Sequence, residues 1–393
     1  MSKRFNAMQK QAIEHCKGPL MVIAGPGSGK TTVITQRVFY LVNVLQIAPQ
    51  NILVLTFSRA AAEEMQERTE KLFLEENAAD IQSSSITFGT FHSVFYKILK
   101  TAYGWEAEDW IFDEEAYIDK LPEIHFDEML TMAKELFEQR EDILKLVRKR
   151  FQWILIDEFQ DIDEVQFDIV KLLAPPEMNP NITIVGDDDQ SIYFFRGARP
   201  EIMLHFPDTY KNTKQIILDT NYRSTPEIVS LTSKLIRHNK KRFDKEYHAN
   251  KLNGPRIILH EYEDTREEYR AVVREIIGKI RSGMSPPEIA ILFRTNIQPY
   301  TLSFLLKENH LENVVCMTFH RSKGLEFHTV YIIDVNEGIV PHTKAKCQDE
   351  IEEERRAFYV AMTRAKEELK ILYVRKRRNK EICKSYFIDE LLE

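Results

Sequence analysis

Nothing in this chain of 393 residues supplies a covalent scaffold. Its four cysteines, Cys16, Cys316, Cys347 and Cys383, form no CxxC pair and no Cys/His cluster, so neither a disulfide framework nor a zinc or iron–sulfur site is suggested. Apolar runs are short: residues 19–24 fall far below the roughly 20 that a membrane span needs, and Met1 to Asn6 hold no apolar signal core. A cytoplasmic location without a membrane partner is expected. Net positive charge is lacking too, since 54 Lys and Arg face 61 Asp and Glu for a formal charge of −7. That excludes coating of nucleic acid by bulk charge and confines any such contact to a local groove. Two basic stretches qualify, residues 234–251 (with Lys240, Lys241, Arg242 and Lys245) and Arg375 to Arg378. Each also reads as an ordinary solvated face. There is no internal repeat and no low-complexity linker.

What is present is an alternation. With 43% hydrophobic and 29% charged residues, the chain is long enough for two or three domains, each with its own core. Short apolar, β-branched runs at 20–24, 52–56, 153–157, 182–186, 215–218, 257–260, 289–294, 314–318 and 329–334 are mostly followed by a polar turn and a helical pattern. This predicts an α/β protein with parallel sheets. The runs fall into two sets, 20–186 and 215–334, each enough for one doubly wound sheet. The expected domains are 1–212 and 213–393. Between about 94 and 150 the pattern turns acidic, aromatic and helical (Trp105, Trp110, Phe112, Phe126, Leu136, Phe137, Leu144), a small helical insertion in the first domain.

Ala24-Gly25-Pro26-Gly27-Ser28-Gly29-Lys30-Thr31 fits GxxxxGKT with Ala24 in the first glycine's place, after a strand and before a helix that opens at Thr32. In such a loop the glycines turn backbone N–H groups toward phosphate, the helix dipole adds to them, Lys30 meets the β- and γ-phosphates, and Thr31 offers its hydroxyl to Mg²⁺. The 154–156 strand ends in Asp157 and Glu158, placing two carboxylates at the C-terminal edge of a parallel sheet. Asp157 suits the Mg²⁺ shell, and Glu158 suits orienting and deprotonating the attacking water.

Further segments resemble the UvrD/Rep group of superfamily 1 DNA helicases. They are Phe5-Asn6-Ala7-Met8-Gln9, Thr56-Phe57-Ser58-Arg59-Ala60-Ala61, Thr90-Phe91-His92-Ser93, Asp157-Glu158-Phe159-Gln160-Asp161, Val185-Gly186-Asp187-Asp188-Asp189-Gln190-Ser191-Ile192-Tyr193, Asn221-Tyr222-Arg223-Ser224-Thr225, Thr318-Phe319-His320-Arg321-Ser322-Lys323-Gly324-Leu325-Glu326-Phe327 and Tyr359-Val360-Ala361-Met362-Thr363-Arg364-Ala365. The resemblance implies two RecA-like P-loop domains with nucleotide in the cleft between them, ATP and Mg²⁺ as cofactors, and single-stranded or tailed duplex DNA as partner. DNA-repair or replication proteins are further partners of this kind.

The resemblance also implies roles. Gln9 reads the adenine edge, although Asn6 to Gln9 reads equally well as a helix cap with its capping-box partner. Thr32 belongs to the nucleotide site, Arg37 and Tyr222 sandwich the adenine, Glu326 lies near the ribose, and Gln190 senses the γ-phosphate. Arg223 and Arg364, both from the second half of the chain, act as arginine fingers. Arg364 is expected in a helix with Arg356, Tyr359, Val360 and Thr363, where Arg356 also reads as an ion-pair partner of Glu352 or Glu353. Phe57, Phe91, His92, Tyr193, Phe195, Arg196 and His320 match positions that stack bases or contact the backbone, though aromatics alone read as core.

There are two departures. Phe195 stands where the family usually has tryptophan, and only residues 297–316 intervene where a second accessory domain is expected, so that domain is read as absent. The first accessory domain is shorter than usual, and no nuclease is expected after Glu393. The leading reading is a DNA-dependent ATPase that translocates, with helicase activity and a 3′ to 5′ direction implied by the resemblance alone; a second is an ATP-gated clamp or regulatory module. A kinase or GTPase is disfavoured, since nothing resembles a guanine-reading NKxD.

Overall fold

A computed structural model describes residues 5–76, 85–102, 128–296 and 300–393. Two compact units emerge: Met1–Ala24, Gly29–Asp187 and Phe195–Leu218 form the first, and Gly25–Ser28, Asp188–Phe194 and Asp219–Glu393 the second.

The first unit is built on six parallel strands: β1 (Leu20–Ala24), β2 (Ile52–Thr56), β3 (Thr87–Thr90), β4 (Trp153–Ile156), β5 (Asn181–Gly186) and β6 (Lys214–Leu218), in the order β3-β2-β4-β5-β1-β6. Every residue of β1, β2 and β4 is buried, as expected of parallel strands with both faces covered. Helix Lys30–Asn43 packs Val33, Ile34, Val38 and Leu41 into a core with Leu20, Val22, Val54 and Leu155. The segment 215–218, expected in the second sheet, instead pairs with β1 as β6, with Ile23 opposite Ile217. The first unit therefore runs to Leu218 rather than 212, because only this edge of β1 offers the strand a ladder. β3, with its Thr-Phe-Gly-Thr sequence, carried too weak an apolar signal to be read as a strand.

The insertion contributes helices Phe91–Ala102, Met129–Gln139 and Glu141–Arg150. Trp105, Trp110, Phe112 and Phe126, which marked it in the sequence, lie outside the described residues.

The second unit has a short pair, β7 (Thr220–Asn221) with β8 (His248–Ala249), and a larger sheet. Its strands are β9 (Ile258–Asp264), β10 (Ile289–Phe293), β11 (Val315–Thr318), β12 (Phe327–Ile332), β13 (Ala365–Arg377) and β14 (Lys380–Glu381). The order is β11-β10-β12-β13-β14, with β9 also paired to β13; all pairs are parallel except β13 with β14. Helix Gln348–Met362 buries Ala357, Phe358, Val360 and Ala361 against β10 and β12 residues such as Leu292 and Val330. In the connection from β10 to its neighbour β11, the described residues form one helix, Tyr300–Glu308.

Candidate phosphate site and nucleic-acid interface

The loop after β1 turns on two glycines in left-handed conformation, Gly27 at φ 67° and Gly29 at φ 87°, where an L side chain is strained. Ser28 Oγ donates to the Gly25 carbonyl at 2.8 Å. Helix Lys30–Asn43 opens with Gly29 as its N-cap and no side-chain cap, which leaves the first-turn N–H groups suited to anionic oxygen. Gln9 reaches this turn: its Nε2 would sit 3.2 Å from a Cβ added at Gly29. The Gln9 Oε1 meanwhile accepts the Asn6 N–H at 3.1 Å, and Asn6 Oδ1 accepts the Gln9 N–H at 2.8 Å. One carboxamide closes the capping box with its oxygen and faces the loop with its nitrogen.

Just past β4, Asp157 is buried and Glu158 adopts φ 51°, an unfavoured conformation for a non-glycine residue. Backbone strain of this sort collects at functional sites. It directs the Glu158 carboxylate between two partners: Lys30 Nζ lies 3.1 Å from Oε1, and Gln160 Nε2 donates to Oε2 at 2.5 Å. Gln160 is anchored in turn, since its Oε1 accepts the Asp187 N–H at 3.0 Å. Thr31 and Asp157 offer hard oxygen donors of the sort Mg²⁺ takes together with phosphate and water. Among the described residues no group of three or more His, Cys, Asp or Glu that could hold a metal ion is found. A cavity of about 630 Å³ in the same unit is lined by Asp157 and Glu158 together with Phe57, Thr90, His92 and Arg196.

In the second unit, Asn221 Oδ1 accepts the N–H groups of Arg223 and Ser224 at 2.8 and 2.9 Å, which forms the turn carrying Arg223. Arg223 Nε donates to Glu326 Oε2 at 2.7 Å, and Lys366 lies 2.7 Å from the other carboxylate oxygen. Partial burial opposes ionisation of Glu326, yet Lys366 and Arg223 outweigh it and hold the carboxyl below its ordinary range. Arg364 is buried: its Nε donates to Val360 O at 2.9 Å, its Nη1 to Leu325 O at 3.2 Å, and its Nη2 to Gln190 Oε1 at 3.2 Å. Lys323 Nζ donates to Gln190 O at 2.9 Å and lies 5.0 Å above the Tyr193 ring, whose centroid is 6.5 Å from that of His320.

Both halves of the chain match family sequence models. The UvrD/REP helicase N-terminal domain matches residues 5–120 and 112–211, and the UvrD-like helicase C-terminal domain matches 216–316 and 306–376. The chain belongs to the UvrD-like helicase family. It is similar to the putative ATP-dependent DNA helicase YjcD of Bacillus subtilis, at 35% identity over 354 residues, 74% of this chain and 46% of that protein. It is 33% identical to the ATP-dependent DNA helicase PcrA of Staphylococcus epidermidis over 365 residues, 76% of this chain and 49% of that protein. PcrA of Staphylococcus aureus is 30% identical over 363 residues, again 76% and 49%. The chain thus spans about half the length of the curated relatives it matches.

Within this UvrD-like chain some expected residues land elsewhere. Arg37 does not offer a face for adenine: two turns along the helix from Lys30, it is buried, with Nη1 donating to the carbonyls of Ala12, Ile13 and His15 and Nε to Thr183 Oγ1. Burial pushes its guanidinium down to about 10. It ties residues 12–15 to β5. Phe91 is buried with its ring stacked on Phe95 at 6.0 Å, so it backs the cavity wall, whereas Phe57 is 38% and Phe195 64% exposed. His92 is half-buried, and Arg196 lies 5.7 Å from the Phe195 ring. Tyr222 is exposed, and Thr32 sits in the first turn of the phosphate helix. Arg364 lies past the helix, which ends at Met362, and closes that end by bonding Val360 O. Arg356 pairs with Glu352 at 3.6 Å, but buried rather than on the surface.

Most cations of the two basic stretches are paired. Lys241 pairs with Asp349, Arg242 with Asp189, Lys245 with Asp188, and Lys251 with Glu367. Arg375, Lys376 and Arg377 pair with Glu261, Glu263 and Asp334. Sequence reasoning had passed over Gln160, Asn221 and Lys323. The motifs Asp-Glu-Phe-Gln-Asp, Asn-Tyr-Arg-Ser and Ser-Lys-Gly-Leu-Glu contained the signal, but only geometry assigns them work.

Proposed function

We propose that the chain is an ATP-driven motor that translocates 3′ to 5′ on single-stranded DNA and separates short duplexes. The observation that carries this reading is the Lys30–Glu158 contact at 3.1 Å, with Glu158 steered by Gln160 at the C-terminal edge of a parallel sheet. With nucleotide bound, Lys30 would meet the β- and γ-phosphates and Glu158 would orient and deprotonate water. Thr31 and Asp157 would hold Mg²⁺, which when bound would neutralise charge on the transferring phosphoryl group. Gln160 keeps the Glu158 carboxylate in line. Arg223 and Arg364 supply cations for the γ-phosphate, and Gln190 senses it. Lys323, shared by Gln190 and Tyr193, passes that state to the aromatic track. Phe57, Phe195 and Tyr193 stack bases of any identity, at about 1–3 kcal/mol each.

Unwinding demands more, because each base-pair step resists with roughly 1.4 kcal/mol of stacking. Among the described residues, one helix lies between β10 and β11, which supports the reading that the second accessory domain is missing from this connection. As a monomer the chain is therefore expected to step along single strands yet open only short duplexes unless a DNA-repair or replication protein assists. The test is ATP turnover with and without single-stranded DNA, then streptavidin displacement from a biotinylated strand and displacement of duplexes of increasing length on 3′ or 5′ tails. Stimulated turnover with streptavidin displaced and only short 3′-tailed duplexes opened is the expected result. Turnover without streptavidin displacement would replace the motor with an ATP-gated clamp.

A further inference from the structure

Within the basic stretch 234–251, the structure turns Arg242 and Lys245 inward while Lys240 and Lys241 stay exposed. Asp188 and Asp189 have no solvent exposure and open the short turn Asp188–Gln190 that presents the sensor side chain. Arg242 grips Asp189 with two bonds, Nε to Oδ1 at 3.0 Å and Nη2 to Oδ2 at 2.9 Å. Lys245, its side chain fully buried, pairs with Asp188 and lies 3.2 Å from Asp189 Oδ2. The Phe243 N–H adds a bond to Asp188 Oδ2 at 2.9 Å. Burial works against the Asp189 charge, but Lys245 and Arg242 prevail and its carboxyl is held below the ordinary range.

The same segment is fastened on its other side to helix Gln348–Met362. Glu352 accepts the N–H groups of Lys240 at 3.1 Å and Lys241 at 3.4 Å, Arg356 Nη2 donates to Lys241 O at 3.0 Å, and Arg355 Nη1 donates to Asn239 Oδ1 at 2.6 Å. That helix leads directly into Thr363 and Arg364, and Arg364 bonds Gln190. Residues 239–245 therefore join the two supports of the Gln190–Arg364 contact. A bidentate arginine and a buried lysine on adjacent aspartates leave the turn little freedom to shift.

We infer that Arg242 and Lys245 are positioning residues, which hold the Gln190 turn against Arg364 so that both stand ready for the γ-phosphate. This rests on the motor reading above. Displacement of such a group by about 1 Å costs up to roughly a hundredfold in rate.

The test compares the parent chain with Arg242→Lys, Lys245→Arg, Gln190→Ala and the double variant Arg242→Lys/Gln190→Ala. ATP turnover is measured under saturating oligo(dT), with kcat and KM separated, well below each variant's melting temperature. Both charge-keeping variants retain the ion pairs needed to fold, but Lys at 242 loses the two-point grip. The expected result is a kcat roughly tenfold or more lower for Arg242→Lys, a KM for ATP changed less than about twofold, and no further loss when Gln190→Ala is added. A lowered melting temperature with unchanged kcat in both charge-keeping variants would make the block merely structural and overturn the inference. Losses that multiply in the double variant would overturn it as well. Absence of DNA-stimulated turnover in the parent would instead bring down the motor reading, and the inference with it.

Discussion

The two units hold their functional groups by different means. In the first, Lys30 and the carboxylates depend on backbone: buried apolar strands, the left-handed Gly29 that caps the helix of Lys30, a strained Glu158 and one partly exposed ion pair. In the second, the Gln190 turn rests on the paired charges Arg242–Asp189 and Lys245–Asp188, and Arg223 pairs with Glu326. A site carried by backbone tolerates loss of a side chain without losing the fold. A site carried by buried ion pairs does not, because a removed partner leaves an uncompensated charge.

The sharpest test of that contrast is Lys30→Ala. We expect ATP turnover to fall about 10³-fold or more, as when a comparable phosphate-neutralising cation is lost. The melting temperature should stay within a few degrees of the parent's, and a collapse in urea would show the loop itself to depend on the lysine. Lys245→Met, in the second unit, is its counterpart. Here urea unfolding should report a stability loss of about 3–5 kcal/mol, since Asp188 and Asp189 remain buried. Wild-type stability in that variant would erase the distinction between the units.

A smaller effect separates an open platform from a wall within the first unit. Phe195→Ala should weaken single-stranded DNA binding by about 1–3 kcal/mol with little change in salt slope. Phe91→Ala should chiefly lower thermal stability, because its ring is core. Fluorescence titration at several salt concentrations, beside melting curves, checks both.

The smallest expected change is a gain. Glu268 is fully buried, its Oε2 without a hydrogen-bond partner, while Oε1 accepts the Asp334 N–H at 2.9 Å. Burial, with Asp334 nearby, pushes its carboxyl well above 4.5. The fold therefore favours the protonated form: that contribution is complete below pH 4.5 and is lost as pH rises through the folded value. Glu268→Gln should raise the melting temperature at neutral pH, at roughly 2–4 °C per kcal/mol. The advantage should fade toward pH 4, and a gain unchanged with pH would exclude ionisation as its cause.

Much of this was legible in the residues. Apolar runs announced β1, β2, β4, β5 and β10, because strands buried on both faces must be continuously apolar. The thirteen-residue β13 was not legible: its buried Leu369, Ile371 and Val374 are interrupted by lysines and glutamates that find partners only on neighbouring elements, such as Lys370 with Glu275. Nor could spacing tell that Arg37 faces Thr183 rather than a ligand.

The sequence by itself determined the α/β class, the phosphate loop, the Asp157–Glu158 pair and the family, because these reside in contiguous residues whose local conformation carries the chemistry. Tertiary structure alone decided which charges are spent on each other. Asp188 and Lys245 are separated by 57 positions and Arg223 and Glu326 by 103, and a charge reads as a solvated face until its partner is known. It also decided that β6 joins the first sheet and that Arg364 stands beyond its helix, since strand pairing and helix ends are settled by which hydrogen-bonding groups remain to be satisfied.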